Sequence, residues 1–166
     1  SRAGNPTQTR FEENIASLEN GKFGISFSSG MAATTALFQM LDKGKHVIIG
    51  RNVYGGTYRL VVDILTNHGF EFDFVDTRDS KEIETMIKPN TSWIFVETPT
   101  NPLLELCNIN EVSQLARKHN ILLAVDNTFM SPYGQNPLDL GADIVMHSAT
   151  KYIGGHSDLI AGVLIT

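Results

Sequence analysis

The feature that most constrains the fold is a series of short apolar runs, each separated from the next by a segment of helical period. Ile121-Leu122-Leu123-Ala124-Val125 is apolar throughout, without alternation. Such a run marks a strand covered on both faces. Residues 46–49, 93–96 and 142–146 repeat the pattern, residues 23–28 read as a further short strand, and Glu71–Val75 alternates. Between them, Pro6–Leu18 places Phe11, Ile15 and Leu18 on one helical face, and residues 30–41 form an Ala- and Met-rich helix. Residues 54–67 predict a helix with Leu60, Val61, Ile64 and Leu65 inward. Asp79 with Glu82 has the spacing of a capping box opening a helix to Ile87, and Asn108 with Glu111 opens one to about His119. Strands alternating with helices imply right-handed crossovers and an α/β fold, a three-layer α/β/α arrangement with a mostly parallel sheet. In such sheets ligands sit at the carboxyl ends of the strands, so the residues just after each strand carry the functional information.

Composition narrows the class further. Of 166 residues, 42% are hydrophobic and 19% charged, enough apolar surface for a core and against disorder. A net charge of −5 argues against nucleic-acid and anionic membrane partners. One cysteine, Cys107, allows neither an internal disulfide nor a thiol metal cluster, and the expectation is a cytoplasmic protein. No apolar run approaches the roughly 20 residues of a membrane span. The chain begins at Ser1-Arg2 with no basic-then-apolar leader and ends in the apolar run Val163-Leu164-Ile165-Thr166. From these ends we expect no signal peptide and a truncated domain whose sheet continues.

Four strand ends stand out. Ser28-Ser29-Gly30-Met31-Ala32-Ala33 leads from a strand into a helix, as an ordinary cap or an anion site of free N–H groups. Glu97-Thr98-Pro99-Thr100-Asn101-Pro102 is a stiff loop that ends an element or places Asn101 against a ligand. Asp126-Asn127-Thr128 puts a carboxylate at the end of a buried strand, where it needs a cationic partner. His147-Ser148-Ala149-Thr150-Lys151 sets two hydroxyls beside a lysine. Each has a bland structural reading alone. Together they ask for one ligand with a phosphate for Gly30, Ser148 and Thr150, a cationic ring nitrogen for Asp126, and an aldehyde for Lys151. Pyridoxal 5′-phosphate has all three. Tyr54, at a strand-to-helix turn, is a candidate to stack on its ring or simply a packing aromatic.

These motifs, with Val53-Tyr54-Gly55-Gly56-Thr57, Val125-Asp126-Asn127-Thr128-Phe129 and the N-terminal Ser1-Arg2-Ala3-Gly4-Asn5-Pro6-Thr7, resemble the Cys/Met-metabolism family of pyridoxal-phosphate enzymes across the whole chain. The resemblance implies a large domain of the aspartate-aminotransferase type (fold type I) with a seven-stranded mixed sheet, followed by a smaller C-terminal domain. Residues 1–166 would be an incomplete cofactor-binding domain. It implies that Lys151 links to the aldehyde and later acts as base, and that Asp126 pairs with the ring nitrogen. Gly30 and Met31 N–H with the Ser148 and Thr150 hydroxyls would hold the phosphate. Tyr54 would stack and help move protons. Asn101 would lie near the ring oxygen and substrate carboxylate, with Glu97 nearby and Thr128 in the same cofactor set. Arg2 would reach the phosphate of a neighbouring subunit, which implies a homotetramer built as a dimer of dimers with shared sites.

Two departures matter. The family motif has Tyr before Ser-Arg, whereas this sequence begins at Ser1, and the family's carboxylate-binding arginine lies beyond Thr166. Within the family, Gly56 stands where methionine γ-lyases have Cys, and Phe129-Met130-Ser131-Pro132 with residues 97–102 looks most like cystathionine γ-lyases. The expected reaction is γ-elimination of L-cystathionine to cysteine, 2-oxobutanoate and ammonia. Cystathionine γ-synthase, cystathionine β-lyase and O-acylhomoserine sulfhydrylase are the alternatives, and an inert cofactor-binding fragment is the non-enzymatic one.

Other classes lack their marks. No G-x-G-x-x-G follows a strand, Gly24-Ile25-Ser26-Phe27-Ser28 lacks the second Gly of a hydrolase elbow, and the histidines show no metal-ligand spacing. His156 with Asp158 reads as a loop pair, Asn90-Thr91-Ser92 as a glycosylation sequon by pattern only, and Cys107 and Trp93 as packing residues.

Overall fold

The computed structural model describes residues 4–166. Helix α1 (Pro6–Leu18) starts at the Asn5 cap, whose side chain accepts from the Gln8 N–H. Strand β1 (Gly24–Phe27) runs into α2 (Gly30–Gln39), capped by Ser29. There follow β2 (His46–Gly50), α3 (Gly55–Arg59), β3 (Glu71–Val75), α4 (Ser80–Thr85) and β4 (Thr91–Glu97). The chain continues through α5 (Ile109–Lys118), β5 (Leu122–Asp126), α6 (Ser131–Gly134), β6 (Ile144–His147) and β7 (Gly162–Ile165). The strands form one seven-stranded sheet in the order β1-β7-β6-β5-β4-β2-β3. Neighbours from β6 to β3 are parallel, and β7 runs antiparallel to both β1 and β6.

The unbroken apolar runs have the expected cause. Successive strand residues point to opposite faces. Val47, Ile49, Trp93, Phe95 and Ala124 pack with Leu37, Phe38 and Val61 on one side. Ile48, Ile94, Val96, Leu123 and Val125 pack with Ile83, Val112 and Ala116 of α4 and α5 on the other. Ile15 and Ala16 of α1 cover Val145, Val163 and Ile165. The three-layer arrangement is therefore present, and Trp93 and Cys107 are buried packing residues.

Four local expectations are corrected. The helix expected over 54–67 holds α geometry only through Arg59, then widens into a π turn (Leu60–Ile64) and tightens into a 3₁₀ turn (Leu65–His68). The wider turn shifts the phase of the residues after it. Leu60, Val61 and Leu65 stay buried, but Ile64 is half exposed. Asp79 caps α4 by accepting from Lys81 N–H, but Glu82 turns away to accept from Asp76 N–H, so the reciprocal half of the box is absent. His156 Nδ1 meets the Gly154 carbonyl at 3.0 Å rather than Asp158. The short helix α6 was not anticipated. Among the described residues no helix is long and apolar enough to cross a membrane.

Candidate active site

The parallel strands β6, β5, β4 and β2 end side by side, and three of them end in a titratable residue. Glu97 closes β4, Asp126 closes β5 in direct register with it, and His147 closes β6. Both carboxyls are buried. Burial, reinforced by the Asp126 charge, pushes Glu97 up to about 7 against the N–H groups it accepts. Burial likewise raises Asp126, opposed by hydrogen bonds from Thr128 and by the charge of His147. A carboxylate in this position without a full cationic partner is unstable relative to its protonated form.

Glu97 ties two loops to the sheet. Its Oε2 accepts from Tyr54 N–H at 2.7 Å and its Oε1 from Asn101 N–H at 3.2 Å. The Tyr54 ring lies over Gly56: a Cβ there would stand 2.4 Å from the ring and 2.9 Å from Met31 Sδ. The N-terminal ends of α2 and α3 thus meet at one point.

Asp126 Oδ1 accepts from Thr128 N–H at 3.0 Å, and Thr128 Oγ1 accepts from Ser148 N–H at 2.8 Å. Ser148 packs against Gly30, where a Cβ would fall 2.7 Å from the Ser148 Cβ. At α2, Ser29 satisfies the Ala32 and Ala33 N–H groups, leaving the first N–H groups, Gly30 and Met31, without an intrahelical acceptor. Thr150 Oγ1 donates to the Ala161 carbonyl at 3.1 Å and accepts from Ala161 N–H at 3.0 Å, closing the loop that carries Lys151. Lys151 is exposed, and its Nζ has no partner among the described residues. Phe129 and Tyr152 meet edge to face at 6.0 Å beside it.

Contacts therefore link Gly30, Met31, Tyr54, Glu97, Asn101, Asp126, Thr128 and Ser148, and the chain brings Thr150 and Lys151 to the same edge. Asn101 contributes its backbone; its side chain is exposed. Arg2 lies outside the described residues. A cavity of about 930 Å³ lies to one side, between α1 and the 149–161 loop, rather than over the carboxylates. Among the described residues no group of three or more His, Cys, Asp or Glu could hold a metal ion.

The arrangement fits pyridoxal phosphate on three independent counts. Asp126 has no lysine or arginine partner among the described residues, the Gly30 and Met31 N–H groups at the start of α2 lack an intrahelical acceptor beside Ser148, and Lys151 offers a free amine.

Sequence reasoning missed a polar group behind this edge. Glu19 Oε1 lies 2.5 Å from His147 Nε2 and accepts from Asn127 Nδ2 at 2.8 Å, and Asn127 is bonded in turn to Gln135. The argument that singled out Asp126, a polar residue closing a buried strand, applies equally to His147. Glu19 also carried a signal, since a carboxylate capping a helix C-terminus opposes the helix dipole unless something else holds it.

The comparisons with known proteins follow the same lines. A cystathionine γ-lyase of Bacillus subtilis (strain 168) is 51% identical over the whole chain, which covers 44% of that protein. A probable cystathionine γ-synthase of Herpetosiphon aurantiacus is 52% identical over the whole chain and 52% of its own length. A cystathionine β-lyase, MetC, of Bacillus subtilis (strain 168) is 52% identical over 98% of the chain and 42% of its own length. The crystal structure of cystathionine γ-lyase from Lactobacillus plantarum complexed with L-serine superposes with a TM-score of 0.98 at 50% identity, over 99% of this chain and 43% of that one. The chain thus spans about half the length, or less, of these relatives. The family model described as Cys/Met metabolism PLP-dependent enzyme matches residues 1–166, and with identities near 50% throughout, the chain belongs to that family of pyridoxal-phosphate-dependent enzymes.

Proposed function

We propose that this chain is the cofactor-binding part of a cytoplasmic carbon–sulfur lyase that takes L-cystathionine by γ-elimination to cysteine, 2-oxobutanoate and ammonia. Residues 1–166 belong, in this reading, to a large domain whose remainder and C-terminal neighbour supply the substrate-carboxylate arginine. The working unit is a homotetramer with shared sites, to which Arg2 contributes. The observation that carries the cofactor assignment is the buried Asp126 carboxylate beside Glu97, raised by burial and unmatched by any lysine or arginine among the described residues.

When bound, pyridoxal phosphate supplies an aldehyde for amines and a ring that accepts electrons from the substrate α-carbon. Lys151 Nζ would hold the aldehyde and would serve as the base for the α-proton. Asp126 keeps the ring-nitrogen proton in place. Gly30 and Met31 N–H, with the Ser148 hydroxyl, would hold the phosphate, and the Thr150 hydroxyl would join them on turning its proton away from the Ala161 carbonyl. Thr128 braces Asp126 and Ser148 together. The Tyr54 ring would stack on the cofactor and its hydroxyl would help carry protons. Asn101 orients the substrate carboxylate. Glu97 fixes the turns bearing Tyr54 and Asn101 by accepting both backbone N–H groups.

Gly56, where methionine γ-lyases resemble each other in having Cys, leans toward cystathionine rather than methionine as the substrate. The test is an assay of the cofactor-loaded full-length protein on L-cystathionine, L-methionine, and an O-acylhomoserine with cysteine. Release of 2-oxobutanoate from cystathionine as the fastest reaction supports the reading. Pyruvate as the main product, or faster synthesis of cystathionine, assigns the β-lyase or γ-synthase reaction instead.

A further inference from the structure

We propose that Glu105 is a positioning residue for the site: its carboxylate pins the outer end of the loop that carries Asn101 to the turn that carries Tyr54. The inference rests on the reading that Asn101 faces the substrate and Tyr54 the cofactor.

Strands β4, β2 and β3 lie side by side in that order and run parallel, so the loops that follow them emerge at one edge. Glu105 stands where the three loops meet. Its Oε2 accepts from Asn52 Nδ2 in the loop after β2. Its Oε1 lies 3.1 Å from Arg78 Nη1 in the loop after β3. Arg78 is itself held by Asp76, which accepts from Nε at 2.9 Å and from Nη2 at 2.6 Å. A guanidinium fixed on one carboxylate presents its remaining N–H groups to a second in a set direction.

The segment from Thr100 to Glu105 is tied into one body. Leu104 N–H donates to the Thr100 carbonyl at 2.8 Å, Thr100 N–H to the Glu105 carbonyl at 3.0 Å, and Glu105 N–H to Thr100 Oγ1 at 3.1 Å. Leu104 holds a φ of 56°, a left-handed conformation that a leucine keeps only where its surroundings enforce it. The inner attachment of this body is the Asn101 N–H on Glu97. One attachment leaves it free to swing about that bond. Glu105 supplies a second, so that Asn101 reaches one place rather than many. The same two carboxylates hold the other loop, Glu97 at the Tyr54 N–H and Glu105 at the Asn52 side chain. Together they set the spacing between Asn101 and Tyr54. The Glu105 and Arg78 side chains are 20% and 49% exposed, so their ion pair adds little stability and its effect lies in geometry.

The experiment compares Glu105→Ala, Glu105→Gln and Asn101→Ala with the unmodified full-length protein. KM and kcat for L-cystathionine are measured on the cofactor-loaded forms, and amide hydrogen exchange across residues 100–105 without cofactor. Glu105→Ala should speed exchange in the loop about tenfold and raise KM about tenfold, with kcat falling by less than KM rises. Glu105→Gln keeps an acceptor for Asn52 and should bring KM back to within about threefold of the unmodified protein. If Asn101→Ala raises KM while Glu105→Ala leaves it unchanged, whatever happens to exchange, Glu105 is scaffold and the proposal is overturned. If neither variant changes KM, the reading of Asn101 itself fails and the proposal falls with it. Should Glu105→Ala not fold, the double variant Asn52→Ala, Arg78→Ala, which strips the carboxylate of both partners, is read in the same way.

Discussion

The two ends of the central strands treat the same residue types in opposite ways. At the amino end, His46 is buried with both ring nitrogens engaged, Nδ1 with Thr91 Oγ1 at 2.7 Å and Nε2 with Asp73 Oδ2 at 3.1 Å. Asp73 has a full cation in Lys88 at 2.6 Å, whose hydrogen bond and charge hold its carboxyl below the usual range. At the carboxyl end, His147 is engaged on one side only, and Asp126 and Glu97 are both pushed upward. One edge is complete within the chain. The other leaves two raised carboxyls and a ring nitrogen without a partner among the described residues, the pattern expected of a polar cluster used for binding rather than for stability.

Lys151→Ala breaks the comparison most severely if the assignment is wrong. Turnover of the loaded full-length protein should fall about 10³-fold or more. Its melting temperature should stay unchanged, because the side chain is exposed and unpartnered. Turnover within tenfold of the unmodified protein would end the role given to Lys151. Next, Asp126→Asn should lower kcat about 10²–10³-fold without loss of stability. Asp73→Asn should leave kcat alone and destabilise by about 1–2 kcal/mol. Urea unfolding and steady-state kinetics on the two variants decide, and the same quantity moving in both would erase the distinction between the edges.

The edges should also respond oppositely to pH. A carboxyl raised in the folded state binds its proton there more readily than in the unfolded chain. Glu97 therefore costs stability progressively as pH rises from 4.5 to about 7, and cofactor-free Glu97→Gln should show a flatter profile over that window. Asp73, lowered in the folded state, stabilises above 3.8, and its contribution is lost as pH falls below that. Denaturation midpoints across pH test both signs. The smallest effect belongs to Cys107, buried beside Thr98 and Thr77 with its thiol pushed up to about 12 by burial. Cys107→Ser should cost about 1–2 kcal/mol and leave kinetics and thiol-reagent sensitivity of turnover unchanged.

Much of this was legible before the fold. Helix α1 follows the helical spacing of Phe11 and Ile15, α5 follows Asn108, and the strand ends bearing Gly30, Glu97, Asp126 and Lys151 were evident because each polar set breaks a buried apolar run. The rest depends on contacts that no local pattern encodes. The apolar residues of β7 read like those of the parallel strands, yet β7 is antiparallel. Ile64 was misplaced because a π turn has no strong sequence signature. Gly30 against Ser148, and Glu19 against His147, join segments from opposite ends of the chain.

Strand β7 has one more consequence. It lies between β1 and β6, pairing Gly24 with Ile165 on one side and His147 with Val163 on the other. Strand β1 leaves the ribosome before the other strands described here, and its sheet partner is the last of them. Throughout synthesis of the intervening chain, β1 and the underside of α1 have no native sheet to dock on. The order of translation thus makes this corner the slow, chaperone-exposed part of folding.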